Sequence, residues 1–411
     1  MDSYYNLEGE MDTFLPMQHF GQKKSRKKCE QLKILYVTFF EYPHTGGLSN
    51  YITSIKRGFQ QMGHDVDVLA PNQMSEHRRT NTIPLIASQA RDFLKKRYRL
   101  ENEKIVKNLS YLSVFQQFLS ENNLEKYDVI HAQDLFSLFI LGQLNQQYQK
   151  PLFFTPHGLF TKSRLKFNKM EKGSIEEAYF SEIEKQGIQA ADEIILISDS
   201  FRPSLIDYGA SEEKMTTVHT GIDYQPLPKK ENEDKLIITT VARLSPRKGQ
   251  DLLIRAIASL RKELLVNVEL WIIGDGVMRK TLTEQVKSLQ LDNVIFFGKR
   301  TDIAELLALS DLYVLATIND NFPLSVMEAM FSKQAIISTT CGGIPEMIQH
   351  EKTGILCEPG NVEELAIALE RLIQNQDERR ALAAAAEIYA SQHLTTNVMT
   401  SKIHSVYSSY F

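Results

Sequence analysis

The sequence predicts an α/β protein made of two Rossmann-like domains whose parallel sheets face each other across a cleft. Three observations predict it. Short apolar, β-branched runs alternate with longer helical stretches; one segment rich in proline and charge interrupts that rhythm, after which it starts again; and at 411 residues the chain is too long for one ordinary core and suits two.

The first domain, expected over residues 32 to 225, opens with KILYVTFF and continues through DVDVLAP, DVIHAQ, LFFTPH and EIILIS. Runs that are apolar throughout, set between helices, mark strands buried on both faces, as in a parallel sheet covered by helices. At GIDYQPLPKKENEDK, residues 221 to 235, prolines and mixed charges replace the pattern and mark a linker. The second domain, expected over 226 to 393, repeats the rhythm with LIITTVA, VELWIIGDG, NVIFFGK, LYVLAT, AIISTT and GILCEP. Helical stretches such as QDLLIRAIASLRKEL and NVEELAIALERLIQN separate these runs. Residues 1 to 31 precede the first strand as a polar, poorly ordered extension without the apolar core of a secretory signal.

Composition narrows the function. Lys and Arg number 47 against 51 Asp and Glu, a formal charge of -4, which argues against a wholesale grip on nucleic acid or an anionic membrane. The three cysteines, Cys29, Cys341 and Cys357, form no CxxC pair and no metal-ligand spacing, so a reducing compartment is expected and a zinc site is not. No stretch supplies the roughly eighteen apolar residues of a membrane span, and a soluble cytoplasmic protein is expected. Two basic clusters leave a peripheral membrane contact open: KKSRKK at 23 to 28, and residues 91 to 107 with seven Lys and Arg against three acids. A solvated helix face accounts for such runs equally well and is the preferred reading.

In open parallel sheets ligands bind beyond the carboxyl ends of the strands, so the residues just after strands carry the information. After KILYVTFF come Gly46 and Gly47, followed by a helix. Paired glycines there let backbone approach a phosphate, with helix N–H groups aimed at the anion, although a plain tight turn needs the same residues. After LIITTVA come Arg243 and, five residues on, Lys248; a planar guanidinium and a mobile ammonium suit a diphosphate, where a lone pair of this spacing is more often two solvated cations. In NDNFPLSVMEAM, Pro323 suits the first turn of a helix. Asp320 to Phe322 then belong to the preceding loop, and Glu328 lies more than a turn inside the helix. N–H groups near Leu324 and Ser325 suit a phosphate, and the two carboxylates suit sugar hydroxyls. Asp65-Val66-Asp67 spells a DxD, but its alternation marks a half-exposed strand and not a metal ligand.

Between residues 33 and 411 the ordered motifs TGGLSNYI, TPHGLF, VARLSPRKGQDLLIRA, IIGDG, FFGKR, NDNFPLSVMEAM, CGGIPEMI and TGILCEPGN together resemble a glycosyltransferase of GT-B fold in the large retaining family 4. The resemblance implies a nucleoside diphosphate sugar as donor, with UDP-sugars expected, and a glycan, lipid-linked or small-molecule hydroxyl as acceptor. Arg243 and Lys248 match the pair that neutralises the diphosphate. Glu328 matches the second glutamate of the family's acidic pair, which holds the ribose. Asp320 stands where the family has its first glutamate, near the donor sugar, and is one methylene shorter. His157, in TPHG, matches the histidine beside the reacting sugar, a position that without the other motifs would read as structural. Gly46 and Gly47 match the glycine loop over the diphosphate; Gly274 lies in IIGDG, Gly298, Lys299 and Arg300 match the region that reads the base, and Asn321, Phe322, Pro323, Leu324 and Ser325 complete the donor loop. The final helix, 394 to 411, is expected to pack back on the first domain. The segment TKSRLKFNKMEKGS reads as a mobile, aperiodic acceptor flap.

No closely paired carboxylates of glycosidase type stand out in the first domain. The resemblance implies front-face attack, with the leaving phosphate as base and neither metal nor cofactor. Two other readings stand beside this one. A relative of different chemistry, an epimerase or a pyridoxal-dependent phosphorylase, would need motifs that are not seen. A catalytically weak or inactive sugar-nucleotide binding protein is favoured only by Asp320.

Overall fold

Each apolar run singled out in the sequence becomes a parallel strand of a computed structural model, which describes residues 31 to 44, 46 to 230 and 234 to 411. The extension read at 1 to 31, with Cys29 and the basic cluster at 23 to 28, lies outside the described residues except for Gln31, as does Thr45.

The chain divides into two compact units, one made of residues up to Val218 together with Thr400–Phe411, the other of His219–Met399. The first holds β1 (Lys33–Val37), β2 (Asp65–Leu69), β3 (Val129–Ala132), β4 (Leu152–Phe154), β5 (Glu193–Leu196) and β6 (Met215–Thr217), in the order β2-β1-β3-β4-β5-β6. Strand β6 has no counterpart among the apolar runs, being three residues of which Thr216 and Thr217 are only half-buried. The second unit holds β7 (Leu236–Val241), β8 (Val268–Ile273), β9 (Val294–Gly298), β10 (Leu312–Val314), β11 (Ala335–Thr339) and β12 (Ile355–Cys357), in the order β12-β11-β10-β7-β8-β9. In each sheet the winding direction reverses once, between β1 and β3 and between β7 and β10. The loops leaving those four strands flank the crevice in which doubly wound sheets bind ligands.

Burial follows the patterns that marked the strands. Every residue of β3, β4 and β11 is buried, as covered parallel strands require. Strand β2 alternates instead, with Asp65 and Asp67 exposed and Val66 and Val68 buried, so the DxD is half of a half-exposed strand; Asp67 accepts from the Tyr127 hydroxyl at 2.7 Å. The second core joins Ile238, Leu270, Val314 and Ile337 of the sheet to Leu253 and Ile257 of the helix Gln250–Ser259. That helix is shorter than its apolar run: Leu260 adopts an extended conformation, and a 3-10 turn covers Lys262–Leu265.

In the final helix, Thr396–Ser408, the residues from Thr400 onward pack into the first unit. Tyr407 is fully buried there, stacked on Phe59 at 5.3 Å and edge-on to Phe153 at 4.6 Å. Its hydroxyl meets Nδ1 of buried His131 at 2.5 Å, while Nε2 of that ring meets Thr155 Oγ1 at 2.8 Å. Burial lowers the His131 pKa to about 3, so the ring is held neutral at the centre of the core.

The basic stretch at 91 to 107 spends part of its charge internally. Arg91 pairs with Glu103 at 2.7 Å, Lys95 with Glu101 at 2.6 Å and Lys104 with Glu176 at 2.8 Å. Among the described residues no helix is long and apolar enough to cross a membrane.

Candidate functional site

In the second unit the functional side chains stand on loops held together through their backbones. After β7 the chain runs through Arg243 to a 3-10 turn, Pro246–Lys248, and then Gly249, which opens the helix Gln250–Ser259. Gly249 sits at φ +69, and a Cβ there would come within 1.8 Å of the Ala316 carbonyl oxygen, so only glycine lets the turn lie against the end of β10. The contact is reinforced from the other side. Arg247 O accepts from Ile318 N at 2.9 Å and from the Thr317 hydroxyl at 2.8 Å, which fixes the loop after β10 to the loop after β7.

That fastening brings Lys248 and Asp320 together as an ion pair, both largely buried, with Lys248 Nζ on Asp320 Oδ2. Asp320 Oδ1 accepts from Asn321 N at 3.1 Å, so the shorter carboxylate is fully engaged by its own unit. Its backbone is fixed from a third loop, the one after β11. Cys341 Sγ lies 3.1 Å from Asp320 N, and Gly342, at φ +56, passes so close that a Cβ would be 1.8 Å from the Asp320 carbonyl oxygen. Arg243, by contrast, is exposed, and its guanidinium has no hydrogen-bond or ion-pair partner among the described residues. The site therefore presents one committed cation and one open one.

The helix Leu324–Phe331 begins after Pro323 as the sequence led one to expect, and no side chain caps its first N–H groups. Ser325 accepts instead from the hydroxyl of buried Tyr313 at 2.7 Å. Glu328 lies on the second turn. Burial pushes its pKa up to about 7, and no group among the described residues donates to its carboxylate. Gly274 lies against the start of the loop after β7 and is joined to Gly298: Ala242 N donates to Ile273 O at 3.1 Å, and Gly274 N to Gly298 O at 2.8 Å. Lys299 is exposed, while Arg300 is turned away into an ion pair with Asp302. The structure thus gathers Arg243, Lys248, Asp320, Asn321 and Gly274 on adjoining loops and leaves the Arg300 side chain engaged elsewhere.

The first unit builds its corresponding region from side chains. Gly46 and Gly47 open the helix Gly47–Gln61 without a side-chain cap or an acid in its first turn. The next helix around the crevice, Leu135–Tyr148, is capped by buried Asp134. Asp134 Oδ1 accepts from Phe136 N and Ser137 N, and Oδ2 from the Thr38 hydroxyl at 3.0 Å and Phe39 N at 2.6 Å, tying the loop after β3 to the loop after β1. Burial raises the Asp134 pKa against these donors. His157, just beyond β4, packs edge-on to Tyr51 at 4.6 Å and meets Gln133 Oε1 through Nε2 at 3.3 Å. Burial lowers its pKa to about 3, so it acts as a neutral hydrogen-bonding ring. Gln133, Asp134 and His157 border a cavity of about 360 Å³. The segment expected to be an aperiodic flap holds a short helix, Phe160–Lys166, whose first N–H groups donate to the buried carboxylate of Glu184, at 2.7 Å from Phe160 N.

Several residues here carried no sequence signal. Gln133 ends the run DVIHAQ, whose pattern reads only as a strand, and Asp134 follows it; their place at the strand's carboxyl end is the signal that singles them out. His219 meets Glu346, 127 residues away in sequence, at 2.9 Å and stacks on Phe322 at 5.2 Å and 16°, bracing the loop that precedes the helix Leu324–Phe331.

Comparison with known proteins finds a family match for each half of the chain. The family described as Glycosyltransferase Family 4 matches residues 45–225, and that described as Glycosyl transferases group 1 matches residues 224–388. An N-acetyl-alpha-D-glucosaminyl L-malate synthase of Bacillus anthracis is 28% identical over 232 residues, 54% of this chain and 60% of that protein, so the chain spans less than two thirds of it. An uncharacterized glycosyltransferase of Methanocaldococcus jannaschii is 25% identical over 369 residues, 84% of this chain and 90% of its own length. Among solved structures, Anabaena Alr3699/HepE in complex with UDP and glucose superposes with a TM-score of 0.67 at 20% identity, covering 92% of this chain and 100% of that one.

Proposed function

The chain belongs to the glycosyltransferases whose first half is of Family 4 and whose second half is of group 1, and from that premise we propose that it is a retaining hexosyltransferase using a nucleoside diphosphate sugar. The observation that carries this reading is the pairing of an open guanidinium, Arg243, with the buried Lys248–Asp320 ion pair at the reversal point of the second sheet. A diphosphate is the ligand that such a pair suits, because it takes up a planar fork and a point charge together.

In this reading Arg243 and Lys248 hold the diphosphate, and Asp320 turns from Lys248 toward the hydroxyls of the donor sugar. Glu328, unpartnered and ready to accept two hydrogen bonds, holds the ribose. UDP is the expected nucleotide, supported by the UDP and glucose bound to the Anabaena neighbour. In the first unit, neutral His157 offers a hydrogen bond to a sugar hydroxyl. The bond from the anomeric carbon to the phosphate oxygen breaks as the bond to the acceptor oxygen forms on the same face. The acceptor proton passes to the departing phosphate, whose charge the two cations stabilise, which is the role a metal would otherwise fill. The acceptor is a hydroxyl of a glycan, a lipid-linked sugar or a small molecule.

The test is NMR of the product formed from an α-linked UDP-hexose, in wild type and in Lys248→Ala and Glu328→Ala. An α-linked product from wild type is expected, with turnover lowered on the order of a hundredfold or more in each variant while the fold persists. A β-linked product would overturn retention, and wild-type turnover in either variant would overturn the site.

A further inference from the structure

The cavity of the first unit has walls and donors of a particular kind. Phe40, Phe136 and Phe160 line it with apolar faces, and Gln133 and His157 line it with polar groups. Gln133 is fully buried, and its Nε2 has no hydrogen-bond partner among the described residues. A buried amide donor left unmade costs about 1 to 3 kcal/mol, so its place on a cavity wall points to an oxygen that it serves when the site is filled. The Asp134 carboxylate also borders the cavity, but its two oxygens already take four hydrogen bonds, and it offers a ligand little.

The lining also carries positive charge. Arg164 and Lys169 line the cavity, and neither makes a hydrogen bond or ion pair through its side chain to the described residues. The Arg164 guanidinium lies over the Phe160 ring at 4.3 Å. The carboxylate that its charge reaches, Glu176, is already bound by Lys104 at 2.8 Å and Asn102 at 2.9 Å. The helix that bears Arg164 is fixed by Glu184, so the guanidinium is presented from an anchored element and not from a loose flap.

Resting on the transferase reading above, we propose that this cavity takes the acceptor, and that the acceptor is a small hydroxylated molecule ending in an anion. Gln133 and His157 read its hydroxyls, the aromatic faces hold its carbon frame, and Arg164 with Lys169 holds a carboxylate or phosphate. A guanidinium binds either group through two parallel N–H bonds, so the two share one chemistry.

Titration calorimetry with glucose, glucuronate and glucose 6-phosphate separates these terms, because the three probes share a ring and differ in charge. UDP is titrated alongside as an independent reading of the donor loops. Wild type is expected to bind at least one anionic probe about tenfold tighter than glucose, and which one does so tells carboxylate from phosphate. Arg164→Met is expected to remove that preference, Arg164→Lys to restore part of it, and Gln133→Met to weaken all three probes alike, with UDP affinity unchanged throughout. Equal binding of the three probes by wild type, or a preference that survives in Arg164→Met, overturns the proposal. Loss of UDP binding by wild type with the anion preference intact would instead remove the donor reading and leave the cavity assignment standing.

Discussion

The two crevices of this protein are built by opposite means. In the second unit the loops after β7, β10 and β11 are joined backbone to backbone, with Gly249 against the Ala316 carbonyl and Gly342 against the Asp320 carbonyl. In the first unit the loops after β1, β3 and β4 are joined by buried side chains, through Asp134 to Thr38 and Phe39 and through Gln133 to His157. A backbone-pinned site tolerates little change in its glycines and presents the same few groups to a constant ligand portion such as a diphosphate. A side-chain-pinned site can be recut by substitution.

The sharpest break of that contrast is a pair of alanines. Gly342→Ala forces a Cβ into a carbonyl at positive φ and is expected to cost on the order of 4 kcal/mol, seen as a marked fall in melting temperature together with lost donor binding. Gly47→Ala, whose Cβ would meet nothing within 4 Å, is expected to melt like wild type. Equal melting of the two variants would refute the backbone account of the second unit.

Next in size is Glu328. Its folded-state pKa of about 7 lies above the ordinary carboxyl value of 4.5, so the contribution of its protonated form is full below pH 4.5 and is lost as the pH rises through 7. Glu328→Gln removes that loss. The variant is expected to be more stable than wild type by up to about 3 kcal/mol at pH 8 and no more stable at pH 4, measured by denaturant titration at both values. A gain that does not depend on pH would mean that the carboxyl is not buried as described.

The smallest expected effect probes the side-chain network of the first unit. Tyr407→Phe deletes the partner of His131 Nδ1 and is expected to cost about 1 to 2 kcal/mol, in stability rather than in donor affinity. An unchanged melting temperature would show that the final helix does not need that bond.

This contrast also explains what the sequence disclosed. Glycines that only glycine can fill, and cations just past strands, leave short motifs, so Arg243, Lys248, Gly274 and the Asp320 to Ser325 loop were legible. Eleven strands were legible as well, most because strands covered on both faces are apolar throughout, and β2 through its alternation of Asp and Val. Strand β6, three residues with two half-buried threonines, offers no such run. The helix Phe160–Lys166 looks aperiodic in sequence because its cap, Glu184, lies far along the chain, and a cap at that distance writes nothing into the local pattern. Gln133, His219 and Glu346 escaped for the same reason, since each is defined by a partner in another loop.

The account stands most directly on the donor loops, and one measurement reaches them: thermal melting of wild type and Lys248→Ala with UDP-, GDP- and ADP-glucose. A ligand that binds only the folded state raises the midpoint by mass action. A rise with UDP-glucose in wild type that disappears in Lys248→Ala is the predicted result. A rise of the same size in both proteins, or none with any nucleotide, would contradict it.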